Sequence, residues 1–347
     1  MTTLSIVQIT DNSSNDINPQ VSSFGDIVWE NEFSLFDTDI YYYNGITAST
    51  IILANSSDNE LNPQISSSGD AVWESEFSLF DTDIDFYDVG TDTISSVASS
   101  FSNELNPQID GDYVVYEFEF SPNDTDINLY NTFTGTTTTI ANDSNNELNP
   151  QIAGDYVVYE YEFGFNDTDI RLYDIFTGTT TTIANDFNNE VNPQVSDTGD
   201  VVYEYEFSDF DTDIYFYDNL TGNTEILAAT SFDEINPDIA GDYVTWQAWD
   251  GNDWEIYRYD SLTSSTIQVT DNNTNDVNAQ VSDSGLVVWE YEFSAFDTDI
   301  YLFDGIDNLG IATSFGNEIN PQISGNEVTW QAWDGNDWEI YAAEVFV

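Results

Sequence analysis

Apolar and polar side chains alternate along this chain in short bursts, each closed by turn residues. Ala71-Val72-Trp73-Glu74-Ser75-Glu76-Phe77 alternates and is rich in strand formers, and Asp81-Thr82-Asp83-Ile84-Asp85-Phe86-Tyr87 alternates again. Asn62-Pro63-Gln64-Ile65-Ser66 and the run from Thr93 to Ala98 are shorter stretches of the same kind. A two-residue period sends successive side chains to opposite faces of a strand. Between these runs stand Ser67-Ser68-Gly69-Asp70, Ser78-Leu79-Phe80 and Gly90-Thr91-Asp92, which are turn signals. The apolar period of an amphipathic helix is absent. The pattern predicts four short antiparallel strands in this stretch.

The same stretch recurs. Asn-Pro-Gln, or a close variant, begins at Asn18, Asn62, Asn106, Asn149, Asn192, Asn236, Asn278 and Asn320, at steps of 42 to 44 residues. Four strands at such a period fit the blade of a β-propeller. The ends fit a closed ring. Ile6-Val7-Gln8-Ile9-Thr10-Asp11-Asn12 matches Ile267-Gln268-Val269-Thr270-Asp271-Asn272, which precedes a later repeat. The last repeat runs out after its third strand. The expectation is an all-β, eight-bladed propeller of four-stranded antiparallel blades, with the N-terminal strand completing the last blade. Residues 1–347 form one domain, expected to be monomeric. Phe133 to Asp143 recurs letter for letter at Phe176 to Asp186, the mark of recent duplication or of selection for one surface.

Asn-Pro-Gln-Ile-Ser, the Gly-Asp turn, Val-Trp-Glu and Asp-Thr-Asp-Ile-Tyr together resemble the TolB-like β-propeller repeat family. The nearest stretches are Asp250-Gly251-Asn252-Asp253-Trp254-Glu255-Ile256-Tyr257 and Asp334-Gly335-Asn336-Asp337-Trp338-Glu339-Ile340-Tyr341. The resemblance spans the chain. It implies a propeller used as a protein-binding platform, a substrate gate or an enzyme scaffold. The chain departs from the family in its acidity and in lacking the extra domain of periplasmic TolB proteins.

Composition narrows the chemistry. Of 347 residues 66 are Asp or Glu and two are Arg, with no Lys or His, for a net charge of -64. Such a chain repels nucleic acid and anionic membranes and attracts cations, including basic proteins. Without Cys or His, thiolate and imidazole metal sites are excluded and the commonest general base is missing. No apolar run is long enough to span a membrane as a helix. The N-terminus lacks the basic and apolar regions of a signal peptide.

The carboxylates recur in two sets. One acid stands two residues before each Asn-Pro-Gln phrase: Asp16, Glu60, Glu104, Glu147, Glu190, Glu234, Asp276 and Glu318. Simple alternation places this acid, the Asn and the Gln on one face of the innermost strand. The acids would then form a ring at the mouth of the axial channel and bind cations, point to solvent or accept from turn amides. The eight asparagines are expected to be a structural hub linking neighbouring blades.

The second set lies in the hairpin of the second and third strands. It comprises Glu32, Asp37 and Asp39; Glu76, Asp81 and Asp83; Glu119, Asp124 and Asp126; Glu162, Asp167 and Asp169; Glu206, Asp211 and Asp213; and Glu292, Asp297 and Asp299. Each group follows a further glutamate: Glu30, Glu74, Glu117, Glu160, Glu204 or Glu290. Antiparallel pairing is expected to oppose a glutamate to the second aspartate. Like charges opposed across strands destabilise, so a bound hard cation is implied, calcium best of all. The other reading has the first Asp capping the turn and the rest solvated. Gln247-Ala248-Trp249 and Gln331-Ala332-Trp333 replace Glu-x-Glu in the sixth and eighth repeats, which are expected not to form this cluster. Their tryptophans pack between blades or mark a protein or sugar site.

The leading expectation is a non-catalytic, acidic propeller that binds calcium and serves as a binding module for divalent cations and a basic protein or glycan. Calcium-dependent folding would suit the outside of a cell. Two alternatives stand beside it: a carbohydrate-active enzyme using paired carboxylates, and a salt-adapted scaffold without a specific metal site.

Overall fold

The computed structural model describes residues 2–346 apart from 35, 36, 79, 80, 122, 165, 166, 209 and 295. The turn tip expected at Leu79 and Phe80 therefore lies outside the described residues. All regular structure among the described residues is β, in 32 strands. The second repeat supplies Asn59–Ile65, Ala71–Ser78, Asp81–Asp88 and Thr93–Ala98, so its first strand begins three residues before Asn62 and includes Glu60.

Each repeat forms a four-stranded antiparallel meander. Five sheets stand alone as four strands, and a sixth of twelve strands joins three such meanders. The joints are single parallel bridges, Thr38 to Asn59 and Thr82 to Asn103. The N-terminal strand Thr3–Gln8 pairs antiparallel with Trp338–Phe346, from Thr3 opposite Phe346 to Gln8 opposite Tyr341.

The core lies between successive meanders. Val28, Ile40, Tyr42 and Leu53 of the first repeat cluster with Ala71, Trp73 and Tyr87 of the second. The pattern continues along the chain, and Val21, Ile27 and Trp29 of the first repeat meet Ile340 of the last. The third-strand isoleucines Ile40, Ile84, Ile127 and Ile170 are fully buried, and each contributes about 1.5–3 kcal/mol by leaving water.

The first strand of each repeat is not a plain strand. Asn18, Asn62, Asn106, Asn149, Asn192, Asn236, Asn278 and Asn320 all have φ between 51° and 55°. The ladder shifts register at each, for example between Leu61 and Gln64. Asparagine tolerates this left-handed conformation better than other side-chain-bearing residues. The resulting bulge resets the alternation of the strand. Asn192, Asn236, Asn278 and Asn320, with Gln194, Gln280 and Gln322, line one cavity of about 400 Å³. Four successive first strands thus converge there.

Candidate metal centre

The first glutamate of the hairpin is a tie between repeats. Glu30 Oε2 accepts from the Asn18 side chain at 3.1 Å, and its Oε1 accepts from the Asn62 backbone N–H at 2.8 Å in the next repeat. Glu74 does the same for Asn62 and Asn106. Glu117, Glu160, Glu204 and Glu290 accept from the N–H groups of Asn149, Asn192, Asn236 and Asn320. Gln247 Oε1 takes this place for Asn278, and Gln331 Oε1 for Asn18. An amide oxygen is as good a geometric acceptor as a carboxylate oxygen. Burial, the largest influence, pushes Glu160 above the usual carboxylate range, partly offset by its bonds to Asn192 and Asn149. This residue type works here as a bridge, not as a ligand.

The hairpin sets expected to bind metal are split by register. Glu32 lies opposite Thr38, whereas Asp39 lies opposite Asn31. Directly opposed residues share a face, so Glu32 and Asp39 point to opposite faces of the sheet. The same register holds for Glu76 and Asp83, Glu119 and Asp126, Glu162 and Asp169, and Glu206 and Asp213. In the seventh repeat Asp299 lies opposite Tyr291, the neighbour of Glu292. Glu32, Glu76, Glu119, Glu162, Glu206 and Glu292 instead accept from the side chains of Asn15, Asn59, Asn103, Asn146, Asn189 and Asn275.

The acids before Asn-Pro-Gln are not among the residues that line the cavity of about 400 Å³. All eight, from Asp16 to Glu318, are at most 3% exposed. The left-handed Asn separates them from the Gln and turns them into the blade, which corrects the shared face expected from alternation. There the six glutamates among them meet the aspartate pair of the preceding repeat. The parallel bridge from Thr38 to Asn59 brings Asp39 beside Glu60 across the seam. Equivalent seams join Asp83 with Glu104, Asp126 with Glu147, Asp169 with Glu190, Asp213 with Glu234, and Asp299 with Glu318, each pair lying within one another's electrostatic reach. The other two seams pair Glu255 with Asp276 and Glu339 with Asp16.

These seams are electrostatically costly as they stand. Burial, then Asp186 and Asp169, pushes Glu190 up to about 8. Burial, with Asp299 and Asp297 adding to it against the Ser314 hydrogen bonds, pushes Glu318 up to about 7. Burial pushes Asp276 up to about 7, with Glu255 raising it further and Asn272 and Trp289 lowering it.

Among the described residues, two compact carboxylate groups occur in the repeats expected not to form the hairpin cluster. Asp250, Asp253 and Glu255 offer oxygens all within 4.8 Å of one another, and so do Asp334, Asp337 and Glu339. The turn Asp250-Gly251-Asn252-Asp253 explains the focus. Asp250 Oδ1 accepts from the N–H groups of Asn252 and Asp253, and Gly251 takes φ +100°, a value side chains rarely permit. Asp253 is 4% exposed and Glu255 0%. Asp253 Oδ2, Glu255 Oε2, Asp337 Oδ1 and Glu339 Oε2 are buried without a hydrogen-bond partner among the described residues. Two carboxylates at such a distance repel by about 3 kcal/mol at an effective dielectric near 20. An all-oxygen donor set with orphaned lone pairs suits a hard cation such as calcium. The signal was in the sequence: three acids stand in the six residues from Asp250 to Glu255.

No protein-family model matches the chain, and no curated protein matches it. Its shape does match solved structures. The β-propeller domain of the trilobed protease from Pyrococcus furiosus aligns at 12% identity and a TM-score of 0.61, over 96% of this chain and 94% of that one. Oligogalacturonate lyase from Vibrio parahaemolyticus aligns at 10% identity and 0.60, over 99% and 97%. Dipeptidyl peptidase 4 from Porphyromonas gingivalis aligns at 11% and 0.67, over 92% of this chain and 56% of that one. At these identities the likeness shows the fold, a β-propeller, and the TolB-like resemblance holds at that level. The expectation that the chain is no enzyme is corrected: enzymes stand among its distant structural neighbours. Missing His, Cys and Lys do not remove carboxylate chemistry.

Proposed function

We propose that the chain is an eight-bladed propeller, closed by Thr3–Gln8 and by the Gln331–Asn18 tie, that binds calcium or a similar hard cation and presents a binding face. The observation that carries the reading is the pair of carboxylate trios, Asp250–Asp253–Glu255 and Asp334–Asp337–Glu339, in which four buried oxygens lack partners among the described residues. A cation there would neutralise charge that no lysine or histidine can. The binding face is the end where the second strands finish. Phe33, Phe77, Phe120, Phe163, Phe207 and Phe293 are 55–72% exposed there among acids, a surface suited to a basic, apolar-bearing protein. Calorimetric titration of chelator-treated protein, in excess potassium chloride, should give saturable heat with calcium. Asp250→Asn with Asp334→Asn should weaken it. Absence of heat and of any melting shift at millimolar calcium would sink the reading.

One observation supports a second use. Beside Asp250, Trp246, Trp249, Tyr257 and Phe232 line a cleft of about 530 Å³ with Glu234. Aromatic walls beside carboxylates suit a sugar. Turnover in a glycan hydrolysis and elimination screen, lost in Glu234→Gln, would establish it.

A further inference from the structure

At every seam the acid before Asn-Pro-Gln faces a third-strand acid of the other length, and the long and short acids exchange sides together. At six seams the short acid comes from the third strand and the long one from the next first strand, as in Asp299 with Glu318. At the other two the order is reversed: Glu255 faces Asp276, and Glu339 faces Asp16. Asp16 and Asp276 are the only two aspartates among the eight acids that stand two residues before the Asn-Pro-Gln phrase. Their partners are the glutamates that replace aspartate in Asp-Trp-Glu. Wherever one side chain lengthens, the one across the seam shortens.

Packing alone would not keep both groups acidic. Two like charges in one buried seam repel, and a neutral pair of the same lengths would fill the space without that cost. A fixed combined reach with fixed charge is what a shared ligand demands. Independent of the swap, several seams hold unsatisfied oxygens. Among the described residues Glu318, 1% exposed, leaves Oε2 without a partner, and Asp297 Oδ1 at the same seam is also buried and unpartnered there. Glu190, 1% exposed, leaves Oε2 in the same state beside Asp169 and Asp167. Asp211 and Asp213 each leave Oδ1 so at the seam with Glu234.

We propose that each seam holds one hard divalent cation, of the calcium class, bridged by the aspartate of one blade and the glutamate of its neighbour. Asp297 and its counterparts supply a further oxygen, and waters complete the shell. The ions act as fasteners between blades. The proposal extends the cation reading from the two trios to six seams of different composition.

Native mass spectrometry of chelator-stripped protein, titrated with calcium chloride, counts the ions directly. Eight bound ions are expected, one for each acid that precedes an Asn-Pro-Gln phrase. Two bound ions would leave the trios standing and overturn the seam proposal. None would overturn both. A swap cycle then tests the shared site. Asp299→Glu alone and Glu318→Asp alone should each lose one ion at a calcium concentration that fills the unaltered protein. The double variant, Asp299→Glu with Glu318→Asp, should regain it. A double variant that binds no better than either single one would overturn the bridging geometry, as would single variants that keep the full count.

Discussion

The tie between blades predicts a sharp contrast between two substitutions at Glu160. This side chain, 6% exposed, accepts from the Asn192 N–H at 2.8 Å, and Asn149 also donates to it. Glu160→Ala removes both acceptors. The partly buried Asn192 N–H then has no partner, at a cost of about 1–3 kcal/mol. The lost packing adds to this, and release of a buried charge subtracts, so the net loss should be about 2 kcal/mol. With an unfolding entropy near 2.1 cal/mol/K per residue, that loss lowers Tm by about 3 °C. Glu160→Gln keeps an Oε1 acceptor, as Gln247 and Gln331 already do at their ties. It also removes the charge that burial penalises, so stability at neutral pH should be unchanged or higher. Thermal melts at neutral pH, in chelator to exclude metal effects, separate the two. Equal destabilisation by Ala and Gln would refute the claim that the oxygen, and not the charge, is what the tie needs.

Glu327 faces Glu344 across the last hairpin, and burial together with that charge pushes Glu327 up to about 7. A raised carboxyl favours the folded state fully below its unfolded value near 4.5 and loses that contribution as pH climbs through 7. Glu327→Gln should therefore stabilise the protein by about 1–2 kcal/mol at pH 8, after allowing for solvent screening, and leave it nearly unchanged at pH 4; melts at the two pH values check this. Asn192→Ala, at φ 51°, should cost about 1–2 kcal/mol, and Asn192→Gly clearly less, in urea denaturation. Calcium at a hundredfold excess over its Kd should add about 2.7 kcal/mol per site in metal-stripped protein. Stabilisation by molar potassium chloride alone, with indifference to calcium, would favour salt adaptation.

Much of the architecture was legible because it repeats. Alternation found the strands Ala71–Ser78 and Thr93–Ala98 at their ends or within a residue of them, and the match of Ile6 to Ile267 anticipated the pairing of Thr3–Gln8 with Trp338–Phe346. The site was less legible, for one local reason. Asn62 and its counterparts take a left-handed φ, which no alternation rule foresees, and the bulge sends Glu60 into the blade instead of the channel. A register one step from the expected one likewise put Asp39 opposite Asn31 and away from Glu32. Gln247 and Gln331 looked like departures from a cluster. They are neutral versions of the glutamate tie, and the carboxylates of those blades sit a few residues later, in Asp-Gly-Asn-Asp-Trp-Glu.

Anomalous diffraction from crystals grown with terbium, a hard oxygen-seeking substitute for calcium, would locate cations at the trios and seams. Strong peaks are expected within coordination distance of Asp253 and Glu255 and of Asp337 and Glu339, with further peaks at the Asp–Glu seams. Terbium confined to other surface acids, with none at either trio, would contradict this reading.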